Sequence, residues 1–318
     1  MKYFDLKGKD RTLHVSKLAI GSAMKMGMLS NEEVFEIFDI FIDAGGNCID
    51  TARAYFGGRS EEMVGQYMKL RGNRDKIVLA TKGCHPGHGA VAHRLTQKDM
   101  EDDVNASLKA LGTDHVDIYW IHKDDPSVPV EGVIDGINAL IRSGKVGIVG
   151  CSNWHVDRIE KANAYAEQTG QHGFCMSQIQ WTLGDSEEEK FKQFTAVLMD
   201  DPSYDWYLKN NMPIFSFSPQ AQGFFSKAAK QGVENLDERL RYCYASEENL
   251  KRLERVKEIA AERNVPVSVP VLAYLLNNKL PCVPVFGATT KEMVRETLQA
   301  VDFEMTAEEA DALWHCCH

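Results

Sequence analysis

Asn47-Cys48-Ile49-Asp50-Thr51-Ala52-Arg53-Ala54-Tyr55-Phe56-Gly57-Gly58-Arg59-Ser60-Glu61-Glu62 sets the reading of the fold. A carboxylate, Asp50, ends a short apolar run, a phenol, Tyr55, follows, and a Gly-Gly turn leads into a helix start. The same grammar recurs downstream. Lys82 ends the β-rich run Ile77-Val78-Leu79-Ala80-Thr81, and His122 ends Val116-Asp117-Ile118-Tyr119-Trp120-Ile121. Asp, Tyr, Lys and His at the C-terminal ends of successive strands are what a carbonyl reductase needs if its proton donor is a tyrosine.

Outward from that stretch, candidate strands fall at 18–21, 47–50, 77–81, 116–121, 146–151, 174–178, 213–216 and 282–285. Their short, unalternating apolar character suits parallel strands buried on both faces. Amphipathic stretches with helix-start signals lie between them: Asn31-Glu32-Glu33 opens one and Thr96-Gln97-Lys98-Asp99 another. Others cover 130–141, 155–166, 247–263 and 291–300. Strand-then-helix units in series predict an α/β fold, a (β/α)8 TIM barrel. A hairpin precedes it (3–6 and 11–15 around Lys7-Gly8-Lys9-Asp10), and a last helix, 306–314, follows. Two rim loops, 83–95 and 219–246, are too long for plain turns, and in barrels such loops at the C-terminal rim carry function. No linker or composition break divides residues 1–318, so a single barrel domain is expected.

Hydrophobic content of 44% and charged content of 26% describe an ordinary globular chain. The net charge of -10 argues against nucleic acid as a partner. No apolar segment approaches the roughly 20 residues of a membrane span, and the first residues lack an apolar signal region, so the reading is cytoplasmic. Charge does not decide the oligomeric state. Cys48, Cys84, Cys151, Cys175, Cys243, Cys282, Cys316 and Cys317 form no C-x-x-C pair and read as reduced thiols. His315-Cys316-Cys317-His318 has no second ligand cluster at structural-zinc spacing, so no metal is expected.

Taken singly, each polar residue has a bland explanation: Asp50 as a helix cap, Tyr55 as a rim aromatic, Lys82 as a solvated charge, His122 as a core imidazole. Their order along the chain is what gives them weight. From about residue 3 to about residue 313 the sequence resembles the aldo-keto reductase superfamily, on Asn47-Cys48-Ile49-Asp50-Thr51-Ala52, Tyr55, Ser60-Glu61, Lys82 and His122. The resemblance implies an NAD(P)(H)-dependent oxidoreductase with Tyr55 as proton donor and Lys82 lowering its pKa. Asp50 would anchor Lys82, and His122 would orient the substrate oxygen. It also implies a dinucleotide cradle. Ser152, Asn153 and Gln178 would meet the nicotinamide carboxamide, and Phe217 would stack on its ring where the family usually has Tyr. Ser218, Gln220 and Gln222 would contact ribose and pyrophosphate. Gly21-Ser22 would match the family's close-approach glycine, Asp50 and Gly287 would join the cofactor contacts, and Glu296 and Thr297 would suit the adenine and ribose side.

The chain departs from the family at Val285-Phe286-Gly287-Ala288-Thr289-Thr290-Lys291-Glu292-Met293-Val294-Arg295. The cations that hold the 2′-phosphate of NADPH are replaced by Gly287, Thr289 and Met293, leaving Lys291 and Arg295. A weakened preference for NADPH follows, since that phosphate wants a bidentate cation partner.

Met24 or Lys25, with Phe56, Trp120, Trp154 and Trp181, is expected to wall a pocket for a small carbonyl compound or sugar. His85 and His88 stand in the loop after the third strand, and Arg53, Arg94 and Lys123 are near enough to rim strands to meet an acidic or hydroxylated ligand. Two alternatives stay open: a redox-neutral sugar-modifying enzyme with tightly held NAD, and a non-catalytic nicotinamide-binding regulatory subunit.

Overall fold

A computed structural model describes residues 1–23, 29–86 and 94–315. Strands β1 (Tyr3–Lys7) and β2 (Thr12–Ser16) pair antiparallel, the turn fixed by the Gly8 N–H donating to the Arg11 carbonyl at 2.8 Å. Eight parallel strands then close on themselves. They are β3 (Ala19–Gly21), β4 (Cys48–Asp50), β5 (Val78–Gly83), β6 (Val116–Ile121), β7 (Val146–Ser152), β8 (Ser177–Gln178), β9 (Ile214–Phe217) and β10 (Cys282–Phe286), with β10 against β3. Helices α1 (Asn31–Asp43), α2 (Arg59–Arg71), α3 (Gln97–Leu111), α4 (Val130–Arg142) and α5 (Val156–Gln168) each follow a strand in turn. After β8 comes α6 (Asp201–Lys209). After β9 the chain makes a long excursion through α7 (Phe224–Gln231), α8 (Glu238–Tyr244), α9 (Glu247–Arg263) and α10 (Ser268–Leu276). Helices α11 (Lys291–Asp302) and α12 (Ala307–Trp314) follow β10. The (β/α)8 barrel and its hairpin are as the sequence predicts.

Local chemistry starts the helices where the sequence signals them. Ser30 and Glu33 form a reciprocal capping box on α1, and Thr96 and Asp99 do so on α3, satisfying backbone donors that a helix N-terminus leaves over.

Alternation along the strands decides what reaches the mouth. Cys48, Ala80, Ile118, Trp120, Ile148, Met176 and Phe215 point into the barrel and pack with hairpin residues Leu6 and Val15, which plug its floor. Their neighbours Ile49, Leu79, Tyr119, Ile121 and Val149 face the helices. A two-residue period carries the inward set up one layer. That layer is Asp50, Lys82, His122, Ser152, Gln178 and Phe217.

No helix among the described residues is long and apolar enough to cross a membrane. The thiols of Cys48, Cys84, Cys151, Cys175, Cys243 and Cys282 are free, and burial raises the pKa of each. Met24, Lys25, His88, Cys316, Cys317 and His318 lie outside the described residues.

Candidate active site

The turn that presents Tyr55 is held from both sides. Arg53 N–H donates to the Lys82 carbonyl (2.9 Å) and Tyr55 N–H to the Ala52 carbonyl (3.0 Å). Phe56, Gly57 and Gly58 follow with φ of 52°, 68° and 92°. A Cβ at position 58 would also collide with the Arg53 guanidinium, so glycine is required there on two counts. Arg53 spends its charge on Glu61 Oε2 (3.2 Å), whose other oxygen accepts from Thr81 Oγ1 (2.6 Å) on β5. Burial raises the Glu61 pKa, against the pull of those hydrogen bonds. Glu61, fully buried, thus pins the Tyr55 turn to the neighbouring strand. In the sequence Glu61 is marked only by its place in Ser60-Glu61, because the Thr81 that holds it lies on a separate element, β5.

At the mouth, Lys82 Nζ donates to Asp50 Oδ2 and to the Thr51 carbonyl (3.0 Å), while Gln178 Nε2 donates to Asp50 Oδ1 (3.2 Å). Lys82 and Asp50 are 1% and 3% exposed, so this ion pair is desolvated rather than screened. The ammonium lies 5.0 Å from the centroid of the Tyr55 ring, and the His122 ring meets that ring edge-on at 5.8 Å. Asp50, Lys82, Tyr55 and His122 thus lie together at the mouth.

Their protonation differs from the expectation in one respect. Burial raises the Tyr55 pKa above 10.0, and the Lys82 ammonium offsets only part of that rise. Lys82 itself is raised above 10.5: burial works against its charge, but Asp50 and Tyr55 outweigh it. Burial first, then Lys82, His85 and Lys123, drives His122 well below 6.5, so its imidazole is neutral.

Asp50, Tyr55 and His122 line one cavity of about 430 Å³, with Lys82 against Asp50 and the Tyr55 ring. Gly21, Ser152, Asn153, Gln178, Phe217 and Ser218 share its wall, with Gln222 and Gly287 further along. Asn153, Ser218 and Gln222 all carry positive φ (57°, 50° and 55°), backbone strain of the sort found at ligand clamps. A flat ring face at Phe217, mixed donors and acceptors at Ser152 and Gln178, and open space above Gly287, where a Cβ would meet nothing within 4 Å, fit a nicotinamide dinucleotide. The Asn153 amide is already engaged, donating to Ser152 Oγ (2.9 Å) and accepting from Val197 N–H (3.2 Å).

Several expected contacts are not at this cavity. Ser22 is buried against Ser60 (2.7 Å), Gln220 lies off the lining, Glu296 accepts from Ser268 Oγ, and Thr297 is buried on α11. The proposed aromatic wall is corrected as well. Trp120 packs on Phe215 one layer below His122, in the barrel floor. Trp154, following the chain reversal at Asn153, packs on Phe174 among the outer helices. Trp181 lines a separate small cavity with Tyr204 and Tyr274. Phe56 is 40% exposed on the outside of its turn. In their place His85, Lys123, Phe191 and Ala196 line the mouth, and Arg239 reaches it from α8. No local pattern marks Arg239, which arrives only through the excursion after β9.

Comparison with known proteins matches this architecture. The aldo/keto reductase family profile covers residues 17–316. An aryl-alcohol dehydrogenase of Pestalotiopsis microspora is 28% identical over 306 residues, covering 93% of this chain and 76% of that one. An NADP(+) aryl-alcohol dehydrogenase of Phanerodontia chrysosporium is 29% identical over 321 residues, covering 95% and 82%. Norsolorinic acid reductase B of Aspergillus parasiticus is 29% identical over 322 residues, covering 95% and 81%. With the barrel and the mouth in place, the match over nearly the whole chain makes this protein a member of the aldo/keto reductase family, an oxidoreductase acting between carbonyl and alcohol.

Proposed function

We propose that the enzyme reduces an aldehyde or ketone with a nicotinamide cofactor, and runs the reverse oxidation, with Tyr55 as the proton donor. The observation that carries this reading is that Asp50, Tyr55 and His122 line one cavity that also presents the Phe217 ring, with Lys82 against Asp50 and Tyr55. The cofactor, when bound, supplies the hydride. Negative charge then grows on the carbonyl oxygen, and an acid positioned there lowers the barrier. Tyr55 is protonated across the neutral range, its pKa held up by burial. Lys82 favours the phenolate left behind, and Asp50 fixes the ammonium in place. His122, neutral, is suited to hydrogen-bonding the oxygen and orienting it rather than to carrying charge.

The junction after β10 supports use of NADH alongside NADPH. Lys291 pairs with Glu36 (2.7 Å) and Arg295 with Glu292 (3.5 Å), so the cations nearest a 2′-phosphate already face carboxylates. Aromatic aldehydes head the substrate panel, because similar proteins are named aryl-alcohol dehydrogenases. Initial rates on aromatic, aliphatic and sugar carbonyls, with NADH and with NADPH, test the reading. Oxidation of either cofactor dependent on the carbonyl supports it; inactivity across the panel with both cofactors overturns it.

A further inference from the structure

We propose that the carbonyl substrate carries an anionic group, gripped at the mouth by Lys123 with His85 beside it. The inference rests on the reductase reading above and adds the class of substrate.

The argument begins with charge. The chain as a whole carries -10, yet among the described residues the ionisable groups lining the cavity around Tyr55 are Asp50, His85, His122, Lys123 and Arg239. The one carboxylate among them, Asp50, is taken up by Lys82 and Gln178. An acidic protein therefore keeps a mouth biased toward cations, the arrangement that concentrates an anionic ligand.

Topology then places these cations. In the closed order of the barrel, β5 and β6 stand opposite β9 and β10. Phe217 ends β9, Ser218 follows it and Gly287 follows β10, while Arg239, on α8, packs with its helix against the Glu188–Phe194 turn after β8, next to the Thr195 that accepts from Lys123. His85 follows β5 and Lys123 follows β6, across the mouth. A cation there is placed for the substrate, not for the phosphates of the cofactor.

Local structure fixes Lys123 in position. Its ammonium donates to the Thr195 carbonyl at 2.8 Å, and Thr195 carries a φ of 45°, unusual for a β-branched residue. Asp124, next in sequence, pairs with Arg158 (3.0 Å). The His85 ring meets the His122 ring edge-on at 4.8 Å and lines the same cavity as Lys123. Burial brings the Lys123 pKa down to about 8, so it is still largely protonated at neutral pH and is less hydrated than a surface lysine. Such an ammonium favours a carboxylate or phosphate over an uncharged group. Arg53 and Arg94, the other cations near the rim in sequence, are held by Glu61 and by Asp103 (2.6 Å) and do not line the cavity.

The test compares para-carboxybenzaldehyde with para-methylbenzaldehyde, and phosphorylated glyceraldehyde with glyceraldehyde, under saturating cofactor. The expected result is a kcat/KM about tenfold higher for at least one anionic member, expressed in KM, as one charged hydrogen bond supplies. The pair that shows the difference separates a carboxylate from a phosphate. Lys123→Gln should bring that ratio to about one, and Lys123→Arg should retain most of it. Independently of any variant, benzoate or inorganic phosphate should inhibit competitively against an uncharged aldehyde. Equal kcat/KM within both pairs overturns the inference while leaving the reductase reading intact. So does a Lys123→Gln enzyme that keeps the ratio, or one that loses nicotinamide affinity in a fluorescence titration. Failure to turn over any aldehyde overturns both.

Discussion

Replacing Asp50 by Asn leaves the Lys82 ammonium 1% exposed without the carboxylate that it now contacts. Removing one partner of a buried ion pair costs about 3–5 kcal/mol, because the other charge stays desolvated. The Asn carbonyl can still accept from Lys82, and the Thr51 carbonyl (3.0 Å) remains, so the lower end, about 3 kcal/mol, applies here. Lys82→Met should cost about the same by stranding Asp50, whose remaining partner is Gln178. The double variant removes both charges and strands neither, so it should lose less than either single variant and far less than the sum of about 6 kcal/mol. Urea unfolding of the four proteins at neutral pH measures this cycle. Additive losses would refute the claim that the pair is buried and mutually dependent. The pH dependence carries the opposite sign in wild type and variant. In the wild type the Lys82 pKa is raised above 10.5. Its contribution is therefore complete below that value and fades as pH climbs through the folded pKa. In Asp50→Asn the ammonium loses its partner and its pKa falls below the unfolded value. The unfolded chain then binds more protons, and stability should rise with pH above neutrality.

Three further outcomes follow from the same geometry. With an uncharged aldehyde, kcat/KM for reduction should stay level between pH 6.5 and 10.0, because His122 titrates well below that window and Tyr55 above it; a limb inside the window contradicts the assignment. NADPH should bind no more than about tenfold tighter than NADH in a fluorescence titration, since Lys291 and Arg295 already face carboxylates; a larger gap would mean a phosphate clamp elsewhere. A Cβ at Gly150 would sit 2.5 Å from Trp120 Cζ3 and 2.7 Å from Met176 Cγ, so Gly150→Ala should lower stability by about 1–3 kcal/mol, and an unchanged urea midpoint would show that the barrel floor yields.

The strands were legible because each is a short apolar run buried on both faces, and the polar residue ending each run lies on its inward period. Asp50, Lys82 and His122 each end such a run, and it is the resemblance to the aldo-keto reductases that joins them to Tyr55. The excursion after β9 was less so. Helix α10 is buried at every position and contains Pro270, so it shows no amphipathic stripe to read. Helices α7 and α8 fall inside what reads as one long loop, although Asp237 caps α8 as its sequence would suggest. The tryptophans misled for a geometric reason: nearness to a strand end says nothing of the layer or side on which a ring lies. Trp120 sits one inward layer too low, and the left-handed Asn153 sends Trp154 outward. The direction of the Tyr55 shift needed coordinates as well. Sequence names the ammonium beside the phenol, but not the burial that outweighs it.

The proton itself gives the most direct test. Tyr55→Phe keeps the ring that faces Lys82 and His122 and deletes one hydroxyl. Single-turnover reduction of an aldehyde by preloaded enzyme should slow by at least about 10²-fold, with nicotinamide affinity within about twofold of wild type. A rate within about threefold of wild type would mean that the proton comes from His122 or from water, and the role assigned to Tyr55 would be lost.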